Sequence, residues 1–382
     1  MDIITGFGSG ITGYIIPFLF VLTIVVFFHE LGHFWVGRLC SVKIDAFSVG
    51  FGPEIFGWND KQGTRWKLSA IPLGGYVKFS GDGNAASMPD SEALQEMTPE
   101  DFEHSLAGRP VWQRAAIVAA GPIANFILAI VILAGLFMSS GKIVSDPRAD
   151  GVQAGSAAER AGMMVGDVVI SIDGTSIESF NDMKRIVSAS ADIPLNIVVR
   201  RDGQEVPMTV TPVRHESKDR WGNVHREGLL GVKHDPKLGE VRTVSFSVPG
   251  AVVEATKETW FIVTRTLGYL YDIIIGKESA DQLSGPIGIA KVSGQVAELG
   301  FGPILNLAAI LSVSIGLLNL FPIPMLDGGH LVYYAAEAIR GKPLSERVQE
   351  IGFRIGLTLV LMLMVFATWN DISKMSWPSV FS

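Results

Sequence analysis

The chain has 382 residues, 48% of them hydrophobic and 18% charged, with a mean hydropathy of +0.34 and a formal net charge of -7. That balance is too apolar for an ordinary soluble protein, and the acidic charge with no Lys/Arg-rich run excludes a nucleic-acid partner. The single Cys40 excludes an intrachain disulfide and a cysteine-rich zinc site, so any metal must be held by His and carboxylates.

A bilayer core needs roughly 20 apolar residues in a helix. Four runs fit or come close: Ile11 to Phe28, Ala115 to Met138, Ile304 to Phe321, and the shorter Ile355 to Thr368. No Lys or Arg precedes Arg38, so the first run lacks the basic flank of a signal peptide and is expected to be retained. Arg38, Lys43, Arg109 and Arg114 lie between runs one and two, and Arg340, Lys342, Arg347 and Arg354 between runs three and four. Both basic loops are therefore expected in the cytoplasm, with both termini and the long region from Gly141 to Gly302 outside.

The first run leads into "HELGH", His29 to His33. Two histidines four apart on a helix project from one face and can share one metal ion, and the adjacent Glu30 is placed to take a proton from water. The bland reading is a pair of interfacial histidines at a helix end, but a Glu and two His at membrane depth are costly without a role.

The loop that follows contains "VKIDAFSVGFG" and "TRWKLSAIPLGGYVKFSG", β-rich and broken by Gly50, Gly52, Gly74 and Gly75. Strands dipping back toward the bilayer are tenable where their backbone is paired or faces water. Asp82 to Glu103 is acidic and Ser/Pro-bearing, and is expected to be a mobile surface loop.

Beyond the second run, "ADGVQAGSAAERAGMMVGDVVISIDGTSIESFNDMKRIV" reads as strand, short Ala-rich helix, strand and amphipathic helix. "PLNIVVRRDGQEVPMTVTP" then reads as a hairpin around Asp202-Gly203. This region resembles a PDZ domain of the bacterial type, which implies capture of a peptide at a sheet edge; a plain α/β spacer is the alternative. "SVPGAVVEATKETWFIVTRTLGYLYDIIIG" has apolar residues at helical intervals with interspersed charge, and is expected to lie on the outer membrane surface rather than to span it.

Two histidines and a water leave a catalytic zinc one protein ligand short. "LLNLFPIPMLDGGHL" supplies Asp327 just after the third run, on the side expected for His29 and His33; His330 is a rival ligand or bystander. Pro322 and Pro324 interrupt that helix, and Asn319 is a polar group in an apolar run, either contacting substrate or bonding a neighbouring helix. For Asp327 the alternative is a turn-forming Asp-Gly.

With "HELGH", "PLGGYVKF" (Pro72 to Phe79), "GPIANF" (Gly121 to Phe126), "SGPIGIA" (Ser284 to Ala290) and "NLFPIPMLDGGHL" in this order, the chain resembles the site-2 proteases of the bacterial RseP-like branch over nearly its whole length. The resemblance implies one Zn2+, held by His29, His33 and Asp327, with Glu30 catalytic. It also implies substrate handling by Asn319, Pro322 and Pro324, and a membrane-reentrant β element including Gly74, Gly75, Tyr76 and Val77. The implied architecture is a polytopic α-helical membrane protein of about four transmembrane helices, with a re-entrant β-hairpin and an extracytoplasmic PDZ-like α/β domain.

Its expected divisions are a first helix over 1–40, the hairpin and loop over 41–110, a second helix over 111–140 and the PDZ-like domain over 141–240. A surface helix and linker follow over 241–302, then a third helix over 303–330, a cytoplasmic loop over 331–352, a fourth helix over 353–370 and a tail. The implied setting is the bacterial inner membrane and its stress response. Implied substrates are single-span membrane proteins, an anti-sigma factor or remnant signal peptides, with a peptide C-terminus or ectodomain at the PDZ-like domain. One such domain stands where the best-known members have two. An ion-coupled transporter, or an inactive PDZ-bearing adaptor, is the competing reading.

Overall fold

The computed structural model describes residues 2–83, 91–218, 224–234, 241–277, 279–280 and 283–373. The chain forms two compact units, one made of Met1–Leu136 and Val248–Ser382, the other of Phe137–Ser247.

In the first unit, α1 (Asp2–Leu39) does not stop where the apolar run ends at Phe28. It carries the His-Glu-Leu-Gly-His stretch in its interior and closes with Arg38 in its last turn, where a cation offsets the exposed carbonyls. Two long strands follow, β1 (Ile44–Asn59) and β2 (Arg65–Phe79), paired antiparallel with repeated register shifts. Ala46–Val49 has Gly75–Lys78 on one side and Arg65–Leu68 on the other, while Glu54–Asn59 pairs with Arg65–Ser69. Gly75–Phe79 is thus an outer segment. The base of this hairpin is anchored by Ile44, Phe47, Val77 and Phe79, buried with Phe34 of α1. Its far arm leaves Phe51, Ile55, Phe56, Trp58, Leu68 and Ile71 exposed.

The mobile loop expected over Asp82 to Glu103 is corrected in part. Residues 84–90 lie outside the described ones, but α2 (Ser91–Glu96) and α3 (Pro99–Glu103) are helical and Asp82 is buried. The acidic composition hid a helix start: Thr98 accepts from the Asp101 amide at 3.1 Å, with Pro99 at the first helical position. Then α4 (Val111–Ser140) follows, with Ile117, Val118, Ala120, Gly121 and Asn125 on its buried face.

The second unit contains β3 (Lys142–Ser145), β4 (Gly151–Val152), α5 (Ala157–Arg160), β5 (Val168–Ile172), β6 (Thr175–Ser176), α6 (Phe180–Ser188), β7 (Leu195–Arg201), β8 (Gln204–Val210), β9 (Val213–Lys218), β10 (Val224–Leu229), β11 (Val232–Lys233) and β12 (Val241–Val244). Its main sheet has the order β6-β5-β7-β8. The β7–β8 turn places Asp202 at φ 50° and Gly203 at φ 82°, the left-handed pair that suits the twist of a two-residue hairpin. Val169, Ile172, Ile197, Val199 and Val210 of the sheet pack with Ala158 of α5 and with Met183 and Val187 of α6. The β9–β10 hairpin was not foreseen, and β3 pairs with β12, so the entering and leaving chains of this unit are joined.

Inside it, Arg201 grips Asp167 with two bonds, Nε to Oδ1 at 2.7 Å and Nη2 to Oδ2 at 2.6 Å, and the Asp167 side chain is 1% exposed. Burial alone would raise the Asp167 carboxyl, but Arg201 and the Met164 amide hold it below the usual carboxylate range. Its stabilisation is therefore fully present above about pH 4 and is lost as pH falls through the depressed value. Arg201→Met is expected to destabilise this unit, since it removes the partner of the buried Asp167 carboxylate, and to flatten the acid dependence. Hydrogen exchange of the Ile197 and Val199 amides in the full chain checks both effects.

Back in the first unit, α7 (Val248–Ile274) lays Ala251, Ala255 and Thr259 against its neighbours and exposes Val252, Trp260, Leu267 and Tyr271. A second correction concerns the expected linker before the third run: it contains α8 (Pro286–Ala297), packed along α1, where Gly294 meets the Tyr14 ring. Asp371 receives the amides of Gly285 at 3.0 Å and Gly288 at 2.8 Å, capping this helix from a distant part of the chain. Next, α9 (Phe301–Asn319) buries Ala308, Ala309, Ser312, Val313, Gly316 and Leu317.

A third correction concerns the loop expected over 331–352. Residues to Arg340 belong to α10 (Asp327–Arg340), which ends at Gly341 in the left-handed conformation. Likewise α11 (Glu346–Ser373) exceeds its apolar run at both ends; Glu350 and Arg354 pair one turn apart on the added portion.

Among the described residues, four helices are long and apolar enough to cross a membrane: Gly13–Leu39, Val111–Ser140, Phe301–Asn319 and Glu346–Ser373. Charges at Glu254, Lys257, Glu258 and Arg265 accompany the exclusion of α7.

Candidate metal centre

Three segments of the first unit meet at one point. From α1 come His29 and His33, one turn apart, each 8% exposed. Asp327 arrives on the first turn of α10, after a compact linker from α9 in which Leu320 and Phe321 donate back to Leu317 and Leu318. Within that linker Met325 has φ 89°, a left-handed geometry that a non-glycine residue rarely adopts. At Gly328 a Cβ would lie 2.2 Å from the Phe321 carbonyl oxygen, so only glycine lets the chain fold back closely enough to present Asp327.

His29 Nε2 lies 3.2 Å from Asp327 Oδ2, His33 Nε2 lies 3.5 Å from Asp327 Oδ1, and the two Nε2 atoms are 3.2 Å apart. Donors around a tetrahedral zinc with bonds of about 2.0–2.1 Å are separated by about 3.3 Å; the two imidazole nitrogens meet that spacing, each faces its own Asp327 oxygen, and one ligand atom from each of the three residues lies within 4.8 Å of the others. His33 Nδ1 lies 2.9 Å from the Ile117 carbonyl oxygen and, facing an acceptor, must carry the proton; the lone pair of neutral His33 is then on Nε2, facing the other donors. Asp327 Oδ2 has no hydrogen-bond partner although it is buried. A carboxylate oxygen without a donor and an imidazole lone pair aimed at the same point form a set of acceptors that a cation satisfies. Among the described residues, these three are the group of His, Cys, Asp and Glu that could hold a metal ion.

Glu30 lies beside the triangle. Its carboxylate takes the Val77 amide of β2, and the neighbouring Gly75 is close enough that a Cβ there would sit 3.1 Å from Glu30 Cγ. Tyr76 lies between them, and Gly74 has φ 122° in the turn of the strand against Phe51. Of the other residues singled out by sequence, Asn319 ends α9 half-buried, and Pro322 is exposed. Pro324 packs on α11, where a Cβ at Gly356 would lie 1.7 Å from its carbonyl oxygen. His330 stands apart from the triangle, edge-on to Tyr333.

Residue-by-residue reading missed the contribution of α4. Its Ile117 carbonyl orients His33, its Gly121 admits both imidazoles, and its Asn125 lies against His29 with Nδ2 3.2 Å from His29 Nδ1. The signals present were Asn125, a polar side chain in an apolar run, and the "GPIANF" stretch that joins it to Gly121, neither of which named a role.

Comparison with known proteins identifies the family. The family model described as Peptidase family M50 matches residues 17–363. Two proteins named as zinc metalloproteases, from Agrobacterium fabrum and Rhizobium meliloti, are each 51% identical, over 97% and 94% of this chain and 98% and 96% of their own. Metalloprotease MmpA of Caulobacter vibrioides is 41% identical over 94% of this chain and 95% of its own. The chain belongs to peptidase family M50, the site-2 protease family, and is a multi-pass membrane zinc metalloprotease.

Proposed function

We propose that the protein is an intramembrane endopeptidase that cleaves the transmembrane segments of single-span membrane proteins, with His29, His33 and Asp327 as zinc ligands and Glu30 as the proton acceptor. The observation that carries this reading is the convergence of the three donors, with the Asp327 oxygen unpartnered, among helices apolar enough to cross a bilayer. Bound zinc supplies a lowered water pKa and polarises the scissile carbonyl. Glu30 takes the proton of the attacking water and returns it to the leaving amine.

A transmembrane helix hides its carbonyls in internal hydrogen bonds, so the substrate must unwind before attack. The outer segment Gly75–Phe79 receives it as an added strand. The Val77 amide of that segment meets Glu30, so this edge lies beside the catalytic position. The exposed aromatic and aliphatic arm of the hairpin supports a membrane-reentrant element within 41–110. Asn319 and Pro322 border the route of the unwound segment, and Pro324 steadies the Asp327 linker.

The unit of about 141–240 serves as an extracytoplasmic PDZ-like domain that takes a peptide C-terminus or excludes bulky ectodomains; the order of its strands and helices supports this. The charge pattern of the short loops supports both termini outside and the active site toward the cytoplasm, in a bacterial inner membrane. The substrate class is a trimmed anti-sigma factor or a remnant signal peptide, which would place the enzyme in a stress response.

The test is cleavage of a single-span test substrate by the purified chain in vesicles, with cysteines scanned through the substrate's unwound segment against a cysteine at Tyr76. Cleavage that stops on zinc removal, with cross-linking at every second substrate position, is the expected result. Zinc-free, inactive protein would overturn the protease reading, and cross-linking with a helical period would overturn strand capture. Val77→Pro is expected to abolish cleavage with zinc retained, checked by metal content and the same assay.

A further inference from the structure

Ile117, Gly121 and Asn125 are spaced four apart, so they form one stripe along α4, and this stripe lies across both imidazoles. At its first position, the Ile117 carbonyl accepts the His33 Nδ1–H. At its centre, Gly121 leaves room for the two rings. At its last position Asn125 is fully buried, with Nδ2 3.2 Å from His29 Nδ1 and Oδ1 without a partner.

An amide hydrogen facing His29 Nδ1 would make that nitrogen the acceptor and put the ring proton on Nε2, pointing at the metal position. A proton on Nε2 would leave His29 no lone pair to offer the ion. Turning the carboxamide by half a turn exchanges its oxygen and nitrogen without moving the chain, and the two placements are distinguished by their bonding. In the turned state Oδ1 accepts from His29 Nδ1–H, and His29 acquires the arrangement that Ile117 gives His33.

We propose that Asn125 is a positioning residue whose amide oxygen accepts the His29 Nδ1–H bond, holding the His29 Nε2 lone pair on the metal. This rests on the reading of His29 as a zinc ligand. Packing fixes the α4 backbone from which the side chain projects: Ser312 Oγ donates to the Asn125 main-chain carbonyl oxygen at 2.8 Å, and a Cβ at Gly316 would lie 3.1 Å from Asn125 Cβ. Both contacts come from α9, the helix that leads to Asp327, so α4 and α9 together set the geometry of all three donors.

The experiment measures zinc affinity of the full chain in detergent by competition with a chromophoric chelator, and the d–d spectrum of Co2+ as a report on ligand geometry. Asn125→Leu removes the acceptor and is expected to bind zinc about 10–100-fold more weakly with an altered Co2+ spectrum. Asn125→Asp keeps an acceptor at the same place and is expected to restore affinity and spectrum. Should the leucine variant not fold, Asn125→Ala carries the same expectation. Affinity of the leucine or alanine variant within twofold of wild type, or an aspartate variant as weak as they are, overturns the inference. A zinc affinity in wild type that His29→Ala leaves unchanged would instead overturn the ligand reading beneath it.

Discussion

Glu30→Gln is expected to lower cleavage of a single-span substrate by about 10²–10⁴-fold while one zinc per chain is retained, because glutamine keeps the shape of the side chain but cannot take a proton. The three donors do not include Glu30, and the Val77 amide that meets its carboxylate can equally meet a carboxamide oxygen. Single-turnover cleavage alongside metal content separates the two effects. A variant with activity within tenfold of wild type would remove Glu30 from the proton-transfer role, whereas loss of zinc would make it part of the metal shell.

Gly121→Ala should be as damaging by a different route. A methyl group there would lie 2.2 Å from His33 Nε2, 2.5 Å from His33 Cε1 and 2.9 Å from His29 Cε1, well inside contact distance. The helices have little freedom to part, since α1 and α4 already touch at Gly32, where a Cβ would come within 2.3 Å of the Ala120 carbonyl oxygen. The rings must therefore turn away from the metal position, and zinc content is expected to fall below about a tenth of wild type. The cost of one extra methyl in packing is only about 1–3 kcal/mol, so the chain should still fold. Gly135→Ala, in the same helix with nothing within 4 Å of the added carbon, is the control and should leave zinc and activity unchanged. Full zinc occupancy in Gly121→Ala would show that the imidazoles are free to shift.

The contrast between these two positions explains what could be read in the sequence. Apolar length announced the four long helices, and the four-residue spacing of His29 and His33 announced a shared face, because both are periodic properties of a helix. Asp327 was found by asking which ionisable group ends another apolar run. The extent of α1 to Leu39 was legible too, because a metal-binding pair four residues apart requires the helix to run on through His33 beyond the apolar run that ends at Phe28. Not visible was α8, whose N-terminus is capped by Asp371, far along the chain. The Ile117 carbonyl has no side-chain signature, and Gly121 and Gly328 matter through what lies opposite them, which is a property of the packed fold.

The donors of the metal triangle are also far apart in time. About 300 residues separate His33 from Asp327, and at a synthesis rate of about 5–20 residues per second the ribosome needs roughly 15–60 s to pass from one to the other. Throughout that interval the nascent chain has its histidines and Glu30 in place, lacks the carboxylate that completes the triangle, and is already threaded beside other newly made membrane segments. With the ligand set proposed above, hydrolytic capacity is expected only once Asp327 has been made. A chain cut short before Asp327 is therefore expected to lack proteolytic activity.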